Sequence, residues 1–155
     1  MSTQMRKSLW LLLALLVPSG STWAQYTTPE VILDGWVESW ASYDLAMVDE
    51  LFYHHPSTSY FSSEIDGLIV GFDRIREHHQ GFGFLEGGGE ASATLWVNEV
   101  TITEVGDSAT IAATWHFGDS ADEESGQFGP MTMVVSIVDD GYRITHMHFG
   151  NYPQE

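Results

Sequence analysis

A chain of 155 residues, 43% of them hydrophobic and 13% aromatic, is long enough to form one packed domain and lacks the composition of a disordered protein. Its 22 acidic residues outnumber five basic ones and give a formal net charge of −17, which excludes nucleic acid and anionic membrane surfaces as partners through repulsion. Because the chain has no cysteine, disulfide bonds and thiolate chemistry are also excluded.

Residues 1–24 have the pattern of a secretory signal peptide. A basic Arg-Lys pair is followed by an apolar run over Leu9–Val17, and Ala24 ends a Thr-Trp-Ala sequence with small residues where signal peptidase recognises its site. The apolar run is about half the ~20 residues needed to span a bilayer, so a membrane anchor is the less favoured alternative. We therefore predict cleavage after Ala24, one domain over 25–155, and an exported protein, periplasmic or secreted, without membrane contact after processing.

Processing would make the acidity more pronounced. Loss of Arg6 and Lys7 leaves three basic residues against 22 acidic ones, and hence a formal charge of −19. The acidic residues are scattered along the chain, which favours a general adaptation for solubility. The alternative is that the charge attracts a cationic ligand.

Two helices are predicted at the start of the domain. Thr28 and Pro29 are an N-cap and a first-turn residue. Apolar and small residues then recur at the three- and four-residue spacing of one helix face, namely Val31, Ile32, Gly35, Trp36, Ser39, Trp40 and Tyr43. Asp44 is a second N-cap, before a short helix whose apolar face consists of Leu45, Val48, Leu51 and Phe52.

The rest of the domain is rich in strand-forming residues. A strand is predicted over His54–Ser63, a short one over Leu68–Val70 and a third helix over Gly71–Gln80, followed by a glycine-rich loop. Four further strands joined by turns are predicted over Thr94–Glu104, Ser108–Phe117, Gly129–Val138 and Tyr142–Asn151. Helices first and an antiparallel meander afterwards indicate the α+β class.

Three short motifs resemble those of one superfamily in their order and spacing. They are Asp-Leu-x-x-Val-x-x-Leu-Phe at Asp44–Phe52, Gly-x-x-x-Ile-Arg at Gly71–Arg76, and Gly-Tyr-x-Ile-x-His-x-His at Gly141–His148. Over about residues 29–150 the chain is similar to the nuclear-transport-factor-two-like superfamily, which includes ketosteroid isomerase and the SnoaL-like polyketide cyclases. The resemblance implies three N-terminal helices packed on a strongly curved antiparallel sheet, forming a cone with an internal pocket.

His146 and His148 are the candidate catalytic residues. Residues two apart in a strand share a face, so both would point the same way as Tyr142 and Ile144, and the resemblance implies that this face lines the pocket. Imidazole titrates near neutral pH, which suits a general acid/base or ligand-orienting pair. The alternative is a pair of histidines hydrogen-bonded within the pocket wall. A metal site would need a third metal-binding side chain beside them, and the spacing of the other histidines identifies none. We therefore predict neither a metal site nor a cofactor.

The other histidine pairs, His54-His55 and His78-His79, are interpreted as polar residues of the surface or the pocket rim.

Four aromatic residues are candidate ligand-binding residues. Trp36 and Trp40 lie one helical turn apart, and Tyr60 and Trp115 lie on predicted strands. An aromatic-lined pocket suits a flat or apolar ligand. The alternative is that these side chains form the core of a small domain, which is our interpretation of Trp96.

The catalytic residues of ketosteroid isomerase are not kept. The resemblance places Trp36 at the position of its tyrosine, Tyr60 at that of its general-base aspartate, and Val134 or Val135 at that of its second acid. An isomerase using that mechanism is therefore not expected.

These patterns predict an exported protein that binds, and transforms if it is an enzyme, a small and largely apolar molecule. The chemistry would be that of a cofactor-free lyase, isomerase or hydrolase. The alternative is a non-catalytic ligand-binding or dimeric assembly module, since the ending also resembles the association domain of calcium/calmodulin-dependent kinase, which only assembles. A homodimer is expected through the outer face of the sheet, where Met147 and Phe149 would lie.

Overall fold

The computed structural model describes residues 26–119 and 126–153 of the chain. The predicted signal peptide and its cleavage site lie outside the described residues. The described elements are, in order, α1 Pro29–Ser42, α2 Leu45–Leu51, β1 Ser59–Phe61, β2 Leu68–Val70, α3 Phe72–Gly81, β3 Thr94–Val105, β4 Ser108–Gly118, β5 Gln127–Val138 and β6 Gly141–Phe149. No helix in this part of the chain is long and apolar enough to cross a membrane.

The first two helices begin where their sequences predict. Thr28 caps α1 through its hydroxyl oxygen, which accepts a hydrogen bond from the Val31 amide at 3.4 Å. Tyr43 ends α1 in the left-handed conformation (φ 51°), and Asp44 then caps α2 by accepting a hydrogen bond from the Ala46 amide at 3.0 Å. The inward face of α1 buries Ile32, Leu33, Trp36 and Trp40.

The six described strands form one mixed sheet in the order β2-β1-β6-β5-β4-β3. All neighbours pair antiparallel except β1, which pairs parallel to β6. The predicted α+β class with three helices is confirmed, whereas the expected wholly antiparallel sheet contains one parallel pairing.

The strand β1 is much shorter than the predicted strand over His54–Ser63. Pro56 interrupts the run, and the Thr58 hydroxyl donates to the carbonyl oxygen of Tyr53 at 2.7 Å. This hydrogen bond closes a turn, so only the last part of the predicted run extends alongside β6.

A β-bulge at Thr145 changes the alternation of side chains along β6. Val135 pairs with Ile144 and Val134 pairs with His146, so Thr145 is an extra residue on β6 without an opposite partner. Side chains that follow the bulge therefore lie on the face opposite to the one that strict two-residue alternation assigns to them.

This bulge corrects two predictions about the last strand. Met147 and Phe149 point inward and are buried, at 0% and 6% exposure, so the expectation that they lie on the outer face is wrong. His146 is half-buried and His148 is exposed on the outer face, so the expectation that they line the internal pocket is also wrong.

The helices cover the inner face of the sheet, and the core lies between these two layers. Its strand residues come from β4, β5 and β6 and include Ile111, Trp115, Met131, Met133, Val135, Ile144, Met147 and Phe149.

Candidate functional site

A cavity of about 190 Å³ lies between the helical layer and the inner face of the sheet. Seven of its lining residues are aromatic, namely Trp40, Tyr43, Tyr60, Phe82, Trp115, Phe117 and Phe149. The others are Ser62, Ser63, Glu64, Ser92, Leu95 and Gln127. The wall therefore draws on α1, on the segments that follow β1 and α3, and on most strands of the sheet.

Trp40 contacts several other rings of this wall. Its ring lies edge-on to Tyr43, Phe82 and Phe117, with centroid distances of 5.8, 5.5 and 6.0 Å. On the opposite layer, the indole Nε1 of Trp115 donates to the carbonyl oxygen of Gly150 at 2.8 Å. The aromatic rings of the wall thus pack against one another around the cavity.

The exposed end of the cavity is polar. Gln127 donates through Nε2 to Glu64 Oε1 at 3.1 Å, and the Ser63 hydroxyl donates to the same oxygen at 3.4 Å. The hydroxyls of Ser92 and Tyr43 lie 3.3 Å apart. Among the described residues that line the cavity, Glu64 is the one with a carboxyl group, and none has a basic side chain.

Tyr60 brings a hydroxyl group to the buried side of the cavity. Burial raises the pKa of Tyr60 far above its usual value, so this hydroxyl stays protonated and neutral. It has no hydrogen-bond partner among the described residues, and neither does the buried indole Nε1 of Trp40. An acceptor atom on a ligand would satisfy the Tyr60 hydroxyl, whereas the Trp40 Nε1 has no accessible surface toward the cavity.

A neutral histidine lies directly behind this wall. His79 is 1% exposed, and its ring centroid is 5.5 Å from that of Tyr60 and 6.0 Å from that of Trp40. Its Nδ1 lies 2.8 Å from the carbonyl oxygen of Ile75, which makes Nδ1 the donor and leaves Nε2 without a proton. Burial lowers the pKa of His79 to about 4, and the nearby His78 acts in the same direction.

The interpretation of His78 and His79 as surface or rim residues is therefore wrong for His79. Its spacing from Phe72 and Ile75 along α3 is that of one helix face, and all three side chains are buried. His78 is half-buried, and burial lowers its pKa against the opposing effect of Glu64.

Three of the four predicted ligand-binding residues, Trp40, Tyr60 and Trp115, come together in the cavity wall. Trp36 does not line the cavity. It is fully buried behind the wall, with its ring centroid 5.2 Å from that of Phe149, and so belongs to the core. A ligand-binding role for the other three stays a prediction.

The predicted catalytic pair lies on the opposite side of the sheet. His146 Nδ1 is 2.8 Å from the Ser59 hydroxyl, and the His148 ring centroid is 5.5 Å from that of Phe61. Partial burial lowers the pKa of His146, and His148 adds to this effect. A catalytic role for this pair stays a prediction that the cavity does not support.

Trp96, interpreted above as a core residue, also lies on the outer face. Its ring stacks on that of His116 at 5.2 Å and 5°, and His116 stacks on Phe128 at 5.8 Å and 7°. Trp115, the neighbour of His116 on β4, points inward to the cavity instead.

Three solved structures are similar to the chain over most of their length. A nuclear transport factor 2 (NTF2-like) superfamily protein from Salmonella enterica is 23% identical, with a TM-score of 0.63, covering 79% of this chain and 87% of that one. A putative ketosteroid isomerase from Parabacteroides distasonis is 18% identical, with a TM-score of 0.61 and coverages of 81% and 89%. A putative calcium/calmodulin-dependent protein kinase type II association domain from Thiobacillus denitrificans is 15% identical, with a TM-score of 0.70 and coverages of 83% and 98%.

No family model matches the sequence, and no curated protein matches it. At such low identities, the structural similarities establish a fold and leave the activity open. They agree with the order of helices and strands described above and with the motifs at the start of α2, around α3 and in β6. The chain therefore has the cone-shaped α+β fold of the nuclear-transport-factor-2-like superfamily.

Proposed function

We propose that this protein binds a small, largely apolar molecule in the aromatic cavity. The open cavity is the observation that carries the proposal. Protein interiors contain few voids larger than a water molecule, and residual cavity volume destabilises a core by ~24 cal/mol per Å³. An enclosed cavity of about 190 Å³ would correspond to a loss of roughly 4.6 kcal/mol, which is an upper bound here because this cavity is open at one end, and contacts with a bound ligand would offset it.

The size and wall of the cavity limit the ligand. An apolar cavity of ~150 Å³ takes up benzene, so about 190 Å³ suits one substituted ring or a compact branched molecule. The Tyr60 hydroxyl, which has no hydrogen-bond partner among the described residues, favours an oxygen acceptor on that ligand. The exposed end, with Glu64 and Gln127, accommodates a polar substituent.

Any chemistry in this cavity would use groups other than the predicted histidine pair. Glu64 at the exposed end is the lining group placed to exchange a proton with a ligand, and the protonated Tyr60 hydroxyl could donate a hydrogen bond to it. His146 and His148 lie across the sheet from the cavity. A cofactor-free lyase, isomerase or hydrolase reaction would therefore depend on Glu64 or Tyr60.

The same proposal includes export and homodimer formation. The pattern of residues 1–24 supports export to the periplasm or the medium. The dimer is supported by the outer face, where a patch without carboxylates would let two copies meet without repulsion between like charges. Although the chain has 22 acidic residues, one row of paired residues across the six strands of that face contains no carboxylate. This row consists of Val70, Ser59, His146, Val134, Thr110 and Thr103.

A pair of matched substitutions on β3 tests ligand binding. Leu95 lines the cavity, whereas Val105, near the other end of the same strand, is 74% exposed. Calorimetric titration with benzyl alcohol should show binding to the wild type and to Val105→Trp, and a loss of at least about tenfold in affinity for Leu95→Trp, whose indole fills the cavity. Thermal melts establish whether both variants fold. If Leu95→Trp does not fold, Ser62→Phe takes its place as the cavity-filling variant. Equal affinity in all folded variants would contradict the proposal.

A further inference from the structure

The cavity combines many aromatic rings with a single negative charge. Seven lining side chains are aromatic, and Glu64 is the charged member among the described lining residues. Within the described residues its carboxylate forms no salt bridge, because its partners, Gln127 and Ser63, are neutral. The carboxylate is therefore left without a counter-charge at the exposed end of the cavity.

The arginines of the described chain lie elsewhere, and burial lowers the pKa of His78, the titratable neighbour of Glu64, which keeps that imidazole mostly neutral at pH 7. Arg76 forms ion pairs with Asp49 and Glu86. Arg143 and Arg74 line two separate surface grooves. Since the whole chain has a formal charge of −17, the potential at the cavity is negative and attracts cations in preference to neutral or anionic molecules.

Aromatic walls select a particular kind of cation. The faces of aromatic rings attract positive charge through their quadrupole, with tryptophan the strongest. A primary ammonium group has three N–H donors, which aromatic faces accept only weakly, so the cost of removing its water opposes binding. A quaternary ammonium group has no N–H donor and presents only methyl or methylene groups, so apolar contact and the ring quadrupole are sufficient to hold it.

We propose that the ligand of this cavity is a small quaternary ammonium compound of about the size of choline, held by the aromatic wall with Glu64 as its counter-charge. The inference rests on the proposed function, that this cavity binds a ligand. A hydroxyl on the ligand would supply the oxygen acceptor that the Tyr60 hydroxyl lacks within the described chain.

A pair of isosteres separates this inference from the proposed function. Choline and 3,3-dimethylbutan-1-ol have the same shape and hydroxyl group, but a charged nitrogen in choline is replaced by carbon in the alcohol. Calorimetric titration at low salt should give choline an affinity at least about tenfold higher than that of the alcohol. Leu95→Trp should abolish binding of both probes, because both occupy the cavity.

Charge and aromatic variants identify the source of the selectivity. Glu64→Gln should weaken the affinity for choline by several-fold and leave the affinity for the alcohol unchanged. Glu77→Gln is the matched control, because Glu77 is exposed and lies outside the cavity lining, and it should change neither affinity. Phe117→Leu keeps apolar contact but removes one ring of the wall, and should weaken choline more than the alcohol.

The outcomes separate the two proposals. Equal or tighter binding of the alcohol, with both probes lost in Leu95→Trp, would overturn the quaternary ammonium assignment and leave the cavity as an apolar binding site. Choline binding that survives in a folded Leu95→Trp would place the cation elsewhere and also overturn the assignment. If neither isostere nor benzyl alcohol binds the wild type, the assignment and the proposed function are both contradicted.

Discussion

Replacing His79 with phenylalanine should remove an acid-dependent loss of stability. Burial lowers the pKa of His79 to about 4, from an ordinary value of 6.5. Above pH 6.5 the imidazole of His79 is mostly neutral in both the folded and the unfolded chain. As the pH falls, His79 becomes protonated in the unfolded chain first, whereas in the folded chain it stays neutral until the pH approaches 4. The free energy of unfolding therefore falls by ~1.4 kcal/mol per pH unit in this window, or by about 2 kcal/mol between pH 6.5 and pH 5.

The surroundings of His79 make phenylalanine a suitable replacement. The ring centroids of Phe84 and Phe52 lie 5.2 and 5.6 Å from that of His79, so an aromatic substitute keeps the packing. The variant loses the hydrogen bond to the carbonyl oxygen of Ile75. That loss is nearly constant above pH 5, where the folded histidine is mostly neutral, so the pH dependence is the diagnostic quantity.

Urea unfolding at several pH values between 7.5 and 5.0 measures this quantity. The stability difference between wild type and His79→Phe should shift by about 2 kcal/mol in favour of the variant as the pH falls. Other groups titrate in the same range, but their contributions cancel in the difference. His55→Phe, at an exposed position, is the matched control and should follow the wild type. Parallel pH profiles for wild type and His79→Phe would refute the reasoning.

The outer face and the N-terminus lead to three further predictions. Thr132→Asp adds one carboxylate per subunit to the outer face, and burying these charges in a contact through that face is unfavourable, so light scattering at micromolar concentration should change from a dimer to a monomer mass. A wild type that is monomeric across a hundredfold dilution series would contradict the homodimer. His146→Ala should bind benzyl alcohol with an affinity within about twofold of the wild type, since this side chain lies across the sheet from the cavity. A large loss of affinity would show that His146 contributes to the ligand site. Protein recovered from the periplasm or medium should begin at Gln25, and an intact Leu9–Val17 segment in a membrane fraction would contradict cleavage.

The helices and most strands could be predicted because their signals are local. Thr28 and Asp44 cap α1 and α2 as their positions in the sequence indicate, and β2 spans the predicted Leu68–Val70. Capping and hydrophobic periodicity depend on neighbours along the chain, which a sequence displays directly. The order of these elements was therefore enough to indicate the α+β class.

The site was harder to predict because it depends on pairing between strands. The bulge at Thr145 arises from the register of β6 on β5, and carrying a strict two-residue period past it assigns His146 and Met147 to the wrong faces. The parallel pairing of β1 with β6 likewise involves residues far apart in sequence. His79 was different, since its spacing from Ile75 on α3 already marked it as part of a buried face.

The most direct test of the cavity as the ligand site uses the indole N–H signals of three tryptophans. Trp40 and Trp115 line the cavity, whereas Trp96 lies on the outer face of the sheet and serves as an internal control. In ¹H–¹⁵N spectra recorded during titration with choline and then with benzyl alcohol, we predict saturable shifts of the Trp40 and Trp115 indoles with one shared dissociation constant, and no shift of Trp96. Shifts confined to Trp96, or no saturable shift of either wall indole with either probe, would contradict the assignment of the site.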